Sequence, residues 1–321
     1  MTVQQSSAVE RDSAWTTIRR TLVQRPTYLI FAAVTAFFII FAPNFATLST
    51  AGAILRVTAL VSIMAVGMTF VIICGEIDLS VGSASSWSGM VIALLLQANV
   101  PTAVAPLLVI AMGALIGLVN GLLVTKLRIP SFLVTLGMLS ILSGLALTIT
   151  NTEPVPIVDD AFSDLLWNAS YIGLPAPIWW TIVIVLIGYY LLQMTVFGRR
   201  VYAVGGNLVA ARFSGIKTDR IKITAFMFSG MTAALAGLLL AARSTAGNPS
   251  LGSGLELDVI AAVIIGGTSL FGGVGDIPGS VIGAIFIGIL GFGLLVLGLS
   301  TSIQEVIKGG IIILAVALNR R

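Results

Sequence analysis

The sequence predicts an all-α polytopic membrane protein of about ten transmembrane helices, and three observations carry that prediction. Apolar residues make up 57% of the chain and charged residues 9%, with a mean hydropathy of +1.08, whereas a soluble domain carries about a quarter charged residues. Charge-free runs cover residues 26–55, 57–75, 79–125, 129–152, 165–198, 223–242, 259–275 and 277–304. A hydrocarbon core of ~30 Å takes about 20 apolar residues of helix, so several runs hold one span and some hold two. A membrane barrel would instead show alternating segments of roughly 10 residues. Third, the cations that break the apolar runs fall into a few clusters, which gives the spans a consistent orientation.

Taken in order, residues 1–27 are polar, with Arg11, Arg19, Arg20 and Arg25 against Glu10 and Asp12. They read as a retained cytoplasmic tail with an interfacial helix around 15–20, not as a cleaved signal. Residues 28–321 then form one transmembrane domain with spans at 28–42, 51–73, 80–97, 102–124, 130–150, 178–196, 222–242, 257–275, 279–298 and 302–318. With both termini cytoplasmic, 14 of the 17 Lys and Arg residues fall on the inner side, as the positive-inside rule requires. The outer loop 151–177 holds Glu153, Asp159, Asp160 and Asp164 and no cation. An odd number of spans would put one of these clusters on the wrong side.

The inner loop 197–221 and its edge carry six of the basic residues (Arg199, Arg200, Arg212, Lys217, Arg220, Lys222) against Asp219 alone. Within it, Asn207 can cap a short helix, Ala210 and Ala211 permit close approach and Gly215 can end it. This is the pattern of a docking surface for a soluble partner.

Glycines recur at spacings of about four in the spans, at 113, 117 and 121 and again at 279, 283 and 288. Small residues at this spacing let helices approach closely in lipid. Residues 266–280, GGTSLFGGVGDIPGS, are too rich in glycine, with Asp276 and Pro278, to continue a helix, so a span ends or breaks there. A break at membrane depth is tolerated only inside protein or beside a water-filled cavity.

Two acid-x-acid pairs stand before spans three and eight, at Glu76/Asp78 and Glu256/Asp258. An offset of five spans reverses orientation, the arrangement that an inverted repeat of spans 2–5 and 7–10 produces. Asp78 or Ser80 can serve as a helix N-cap; alternatively Glu76 and Asp78 frame a polar vestibule or brace the domain for motion. Glu305 and Lys308, three apart on one helix, are expected to pair with each other, and Arg56 and Arg243 to snorkel to the outer interface. Most Trp and Tyr residues sit near predicted interfaces, but Trp87 lies within a span among Ser83, Ser85, Ser86 and Ser88, hydroxyls that can serve a polyhydroxylated solute.

Several functions are excluded. The chain has no histidine, which removes His-based acid–base work, His metal sites and the Ser-His-Asp arrangement. Its one cysteine, Cys74, allows no internal disulfide. No glycine directly precedes any of the four lysines, so the phosphate loop of nucleotide hydrolases is absent. The net charge of +4 follows from the inner loops and is no sign of nucleic-acid binding. The chain therefore reads as a non-enzyme, with no metal site and no cofactor of its own.

Six segments, GEIDLSVGS (75–83), IPSFLVTLGMLSILSGLAL (129–147), GRRVYAVGGN (198–207), AARFSGI (210–216), ELDVIAAVIIGGTSLFGG (256–273) and IQEVIKGGIIILAV (303–316), resemble the permease subunit of bacterial ABC importers for monosaccharides. That group covers ribose, xylose, arabinose and galactose, within a broader set that includes branched-chain amino-acid permeases. Order and spacing are kept from about residue 45 to the end.

The resemblance implies an inner-membrane, multi-pass subunit that forms a homodimer with a second permease copy. It also implies a cytoplasmic ATPase that binds ATP and Mg, and an extracytoplasmic solute-binding protein. It places ATPase coupling on Gly205, Gly206, Asn207, Ala210, Ala211, Arg212 and Gly215. Together with the residue reading it puts the translocation pathway or its gates at Glu76, Asp78, Ser80, Ser83, Trp87, Glu256, Asp258 and Thr268. The chain departs from the family at Leu208 and Val209, where acids are common, and at Gly291, Phe292 and Leu295, where asparagines are common. Those departures bear on the ATPase partner and the cargo. The same machine could carry a furanose-like quorum signal, a polyol, a nucleoside or a branched-chain amino acid. An ion-coupled secondary transporter would need a coupling carboxylate deep in a span.

Overall fold

In a computed structural model, which describes residues 26–318, the chain is a helical bundle with only two-residue strands outside it. The helices are α1 (Pro26–Phe41), α2 (Leu48–Ile73), α3 (Val81–Gln97), α4 (Ala105–Lys126), α5 (Ser131–Ile149), α6 (Asp160–Ser163), α7 (Ala176–Tyr189), α8 (Val196–Gly206), α9 (Leu208–Phe213), α10 (Thr218–Ser244), α11 (Leu255–Ile265), α12 (Ile277–Val296) and α13 (Thr301–Leu318). Six described helical segments are long and apolar enough to cross a membrane: α2, α4, α5, the continuous stretch Ala176–Met194, α10 and α12. The expected tail and its interfacial helix lie, but for residues 26 and 27, outside the described residues.

The core is built around α2 and α10. Thr47 caps α2, its hydroxyl accepting from the Thr50 amide at 3.2 Å, and Thr58 to Ile73 are all buried. A run that is apolar on every face makes a central helix and not a lipid-facing one. Along α4 the glycine row meets α10: a Cβ on Gly117 would overlap the Phe226 carbonyl oxygen, and one on Gly121 would lie 2.8 Å from Ile223 Cα. Backbone-to-backbone contact of this kind is what glycine allows where no hydrophobic effect drives packing. By contrast α5 and α7 turn apolar side chains outward, among them Phe132, Leu136, Ile141, Val183 and Leu186. These faces suit lipid.

At one end, residues 73–76, 126–131, 196–222 and 266–276 gather, which is the basic end of the molecule. At the other, β1 (Val155–Pro156) pairs antiparallel with β4 (Ala246–Gly247), and β2 (Ser170–Tyr171) with β3 (Leu174–Pro175). The indoles of Trp179 and Trp180 donate there to the Tyr171 and Leu165 carbonyls at 2.9 and 3.2 Å. Arg56 and Arg243 do not simply reach for solvent: Arg56 donates to the Trp167 carbonyl at 3.4 Å, and the Arg243 guanidinium lies 5.6 Å from the Trp167 ring centre.

Span eight is shorter than the expected 257–275. Helix α11 stops at Ile265, and Gly267, Gly272 and Gly273 follow with φ of +99°, +83° and +75°, a region that L-residues with a Cβ avoid. The helix restarts at α12, where Asp276 caps it by accepting from the Gly279 amide at 2.6 Å. The break expected at 266–280 is present.

Candidate functional site

Two features hold the residues singled out by sequence: a short helix at the basic end, and the place where the segments leading into α3 and α11 cross.

The short helix is α9. Asn207 caps it, its side-chain oxygen accepting from the Ala210 amide at 2.9 Å, and Gly215 follows its end at φ +80°. Ala211 is buried against the bundle, whereas Ala210, Arg212 and above all Val209 and Phe213 are exposed, the last at 90%. Phe213 was not among the residues expected from sequence. In a basic loop, AARFSGI carries an aromatic residue at the end of a six-residue helix, and that was the available signal. Beside α9 lies a cavity of about 380 Å³ lined by Glu76, Arg128, Leu208, Arg212, Asp219 and Lys222 with four neighbours. Its charges are largely matched: Asp219 faces Lys126 at 3.1 Å and Arg212 at 3.8 Å, and Glu76 accepts from Lys222.

Helix α8 leads into α9 and is fixed to two other elements. A Cβ on Gly205 would overlap the Ile73 carbonyl oxygen and lie 2.6 Å from the Gly273 amide nitrogen. The Gly273 amide itself donates to that same Ile73 carbonyl at 2.9 Å. Alongside, the Tyr202 hydroxyl donates to the Gly275 carbonyl at 2.7 Å. Burial raises the Tyr202 pKa above the usual tyrosine value, so the hydroxyl keeps its proton and its donor role. The segment before α9 thus touches both the end of α2 and the break at 266–276. Tyr202 was missed because a tyrosine near a predicted interface reads as an anchor.

The acids of 75–83 turn inward. Asp78 is 1% exposed; its carboxylate accepts from the Ser80 amide at 3.0 Å, and from the hydroxyls of Ser80 at 2.6 Å and Ser229 at 2.9 Å. Asn120 of α4 donates to Ser80 Oγ at 3.0 Å, and the Ile77 amide donates to Ser131 of α5 at 3.2 Å. One loop is therefore tied to α4, α5 and α10. Neither capping option holds in its usual form: Ser80 occupies the N-cap of α3 but makes no side-chain cap bond, and Asp78 accepts from Ser80 instead. Of the two readings of Glu76 and Asp78, this geometry fits the brace. Ser83 is likewise buried, donating to the Ser80 carbonyl at 2.9 Å, and Trp87 packs between two parts of the core.

The second acid pair sits differently. Glu256 and Asp258 are in the first turn of α11 and half-buried, the Glu256 carboxylate lying against Gly82 at the start of α3. The Gly252 amide donates to Ser86 Oγ at 2.8 Å. Asp258 pairs with Lys308 of α13 at 2.7 Å, so the expected Glu305–Lys308 pair gives way to a contact between helices. A carboxylate on a packed neighbour is closer than one on the same helix, whose geometry leaves Glu305 exposed. Thr268 is buried in the break, beyond the end of α11 from Glu256 and Asp258, and its hydroxyl has no hydrogen-bond partner among the described residues.

The crossing lies level with the middle of α10, one of the membrane-length helices. Helix α10 is ~40 Å long at 1.5 Å per residue. Asp78 bonds Ser229, about 16 Å from its start at Thr218, and Gly237, about 10 Å before its end at Ser244, packs against Ser85. Two helices, α3 and α11, therefore begin near mid-depth and run to opposite ends, each after an irregular segment. Two helices that start at mid-height in a bundle with six membrane-length helical segments, beside a short exposed helix at the basic end, define a polytopic membrane protein.

Comparison with known proteins specifies which. A family model described as "Branched-chain amino acid transport system / permease component" matches residues 50–316, and the chain belongs to that family. It is 42% identical over 282 residues to the ribose import permease protein RbsC of Escherichia coli K12, covering 87% of this chain and 88% of that protein. It is 37% identical over 310 residues to the L-arabinose ABC transporter permease protein AraH of Azospirillum brasilense (97% and 90%). Against the xylose transport system permease protein XylH of Escherichia coli K12 the identity is 35% over 327 aligned positions (83% of each). No solved structure matches. The chain is thus a transport component and not an enzyme.

Proposed function

We propose that the chain is the membrane-spanning subunit of an ATP-driven importer of a monosaccharide, acting in the bacterial inner membrane as a homodimer. The observation that carries this reading is the coincidence of relationship and geometry. Relatives named for ribose, arabinose and xylose transport align over most of their length, and α9 presents an exposed apolar tip on a basic loop where a cytoplasmic ATPase would dock.

In this reading ten helices cross or enter the membrane with both termini inside, and residues 1–27 form a cytoplasmic tail. The ATPase supplies ATP and Mg; an extracytoplasmic binding protein delivers the solute. Closure of the two ATPases moves α9. Because Gly205 touches the Ile73 carbonyl and the Gly273 amide, that motion reaches α2 directly and α12 through the 266–276 break. Asn207, Ala210, Ala211, Arg212 and Gly215 shape the docking helix, and Phe213 adds its apolar contact. Leu208 and Val209 leave α9 without an acidic residue, which suits an ATPase with a more apolar groove. Glu76, Asp78, Ser80 and Ser83 brace the start of α3, so gating falls to Glu256, Asp258 and Thr268, with Trp87 behind them.

Uptake into proteoliposomes containing permease, native ATPase and binding protein tests the reading. Labelled D-ribose, D-xylose and L-arabinose are compared with a polyol, a nucleoside and leucine. ATP-dependent accumulation of one monosaccharide is expected; accumulation of leucine alone would contradict the cargo.

A further inference from the structure

We propose that the start of α11 and the facing side of α13 form a water-lined solute surface, closed by a second copy of this chain, in which the Asp258–Lys308 pair contacts a polyhydroxylated solute. The inference rests on the importer reading and names the place where cargo meets the subunit.

The argument begins with what lipid allows. Ionisable groups within a span are costly unless they face protein or a water-filled cavity. Glu256 and Asp258 follow the crossing of α3 and α11, which lies between the levels of Ser229 and Gly237 on α10. Lys308 is about 10 Å into α13, and its Cε would be 3.5 Å from a Cβ on Gly291. The side chains of Asp258 and Lys308 keep 17% and 21% exposure. Around them Ser253, Gly254 and Glu305 are exposed, interleaved with the apolar Leu257, Ile303 and Val306. By contrast, the described helices α5 and α7 carry no charged residue along their length.

A charged pair open to the outside of one subunit, at membrane depth, cannot lie against hydrocarbon. Something wet or polar must cover it. A second copy of this chain brings the same face, and two such faces enclose a channel between them, as an isologous dimer does. The chemistry suits a neutral polyol: a carboxylate accepts from hydroxyls and an ammonium donates to them. Because each charge already has its partner, the surface can exchange hydrogen bonds with a passing solute without holding it tightly.

The test uses thiol accessibility in the assembled complex in lipid discs, in the native background, because Cys74 is buried. Ser253→Cys and Leu257→Cys are compared with Leu186→Cys on the apolar face of α7. Each is exposed to a charged methanethiosulfonate and to a lipid-soluble maleimide, with D-ribose, D-xylose and L-arabinose-loaded binding protein in turn. The expected result is at least tenfold faster reaction of Ser253→Cys and Leu257→Cys with the charged reagent, while Leu186→Cys reacts only with the lipid-soluble one. Protection by a loaded sugar identifies the cargo. Fast charged labelling without protection by any sugar upholds the wet face and overturns the monosaccharide reading. Labelling only by the lipid-soluble reagent overturns the face itself. In parallel, Asp258→Asn and Lys308→Met should lower uptake at least tenfold with ATPase association retained. The charge swap Asp258→Lys/Lys308→Asp should recover thermal stability but not uptake. Recovery of both would make the pair a structural brace and overturn its solute contact.

Discussion

Position 78 shows how a single residue holds the crossing together. Its carboxylate accepts from Ser80 and Ser229, and Asn120 backs Ser80 in turn, so the loop before α3 is anchored to helices on two sides. Replacing Asp78 with alanine leaves buried hydroxyls unpaired, and breaking a buried network of this kind costs about 3 kcal/mol. The expected outcome is a lowered unfolding temperature in detergent, with Asp78→Asn intermediate because an amide keeps an acceptor oxygen. An unchanged melting temperature for both would contradict the brace. At the basic end, Phe213 stands exposed on α9, where the proposed ATPase would dock. Phe213→Ser should weaken ATPase association by roughly 2 kcal/mol, about thirtyfold, as for an aromatic anchor, without altering the stability of the permease alone. Titration of the ATPase onto permease in discs measures it.

Among the elements, α8 is the one whose position has the widest reach, since its end touches α2 and the break at once. Adding one methyl group at residue 205 forces apart the Ile73 carbonyl and the Gly273 amide. Gly205→Ala is therefore expected to leave the ATPase bound but lower solute transported per ATP several-fold. Tyr202→Phe removes the bond to the Gly275 carbonyl together with the one the hydroxyl accepts from Gln193 and should do the same more mildly, with Tyr190→Phe, on an exposed tyrosine, as the silent comparison. Equal ratios in all of these would exclude the junction from coupling. The α9 cap, the break at 266–280 and the close-packed glycine row on α4 were all legible in the sequence, because each depends on local backbone chemistry. The partners of Glu76, Asp78 and Lys308 were not. Ser229, Asn120 and Lys222 lie far from the acids in sequence, and side chains on different helices meet only through packing that no spacing rule reports. For the same reason the break of span eight was visible but its helix end at Ile265 was not.

For the molecule as a whole, hydropathy and the distribution of cations already pointed to a polytopic membrane protein, and the resemblance of six segments to a permease family agrees with the family match. Depth was the harder quantity. A run of apolar residues does not say whether a helix starts at the membrane surface or at its middle, and α3 and α11 begin inside because irregular segments lead into them. The resulting architecture places the docking helix, the α8 junction and the half-buried acids of α11 in one connected frame. Its central claim is that an ATPase bound at α9 drives solute across this subunit. The most direct measurement is ATP hydrolysis by the complete complex in lipid discs, with binding protein either empty or loaded with D-ribose, D-xylose or L-arabinose. One loaded form should raise the hydrolysis rate several-fold over the empty form, and Phe213→Ser should abolish the rise at matched ATPase concentration. Hydrolysis indifferent to every form of the binding protein, or failure of the ATPase to associate at all, would contradict the account.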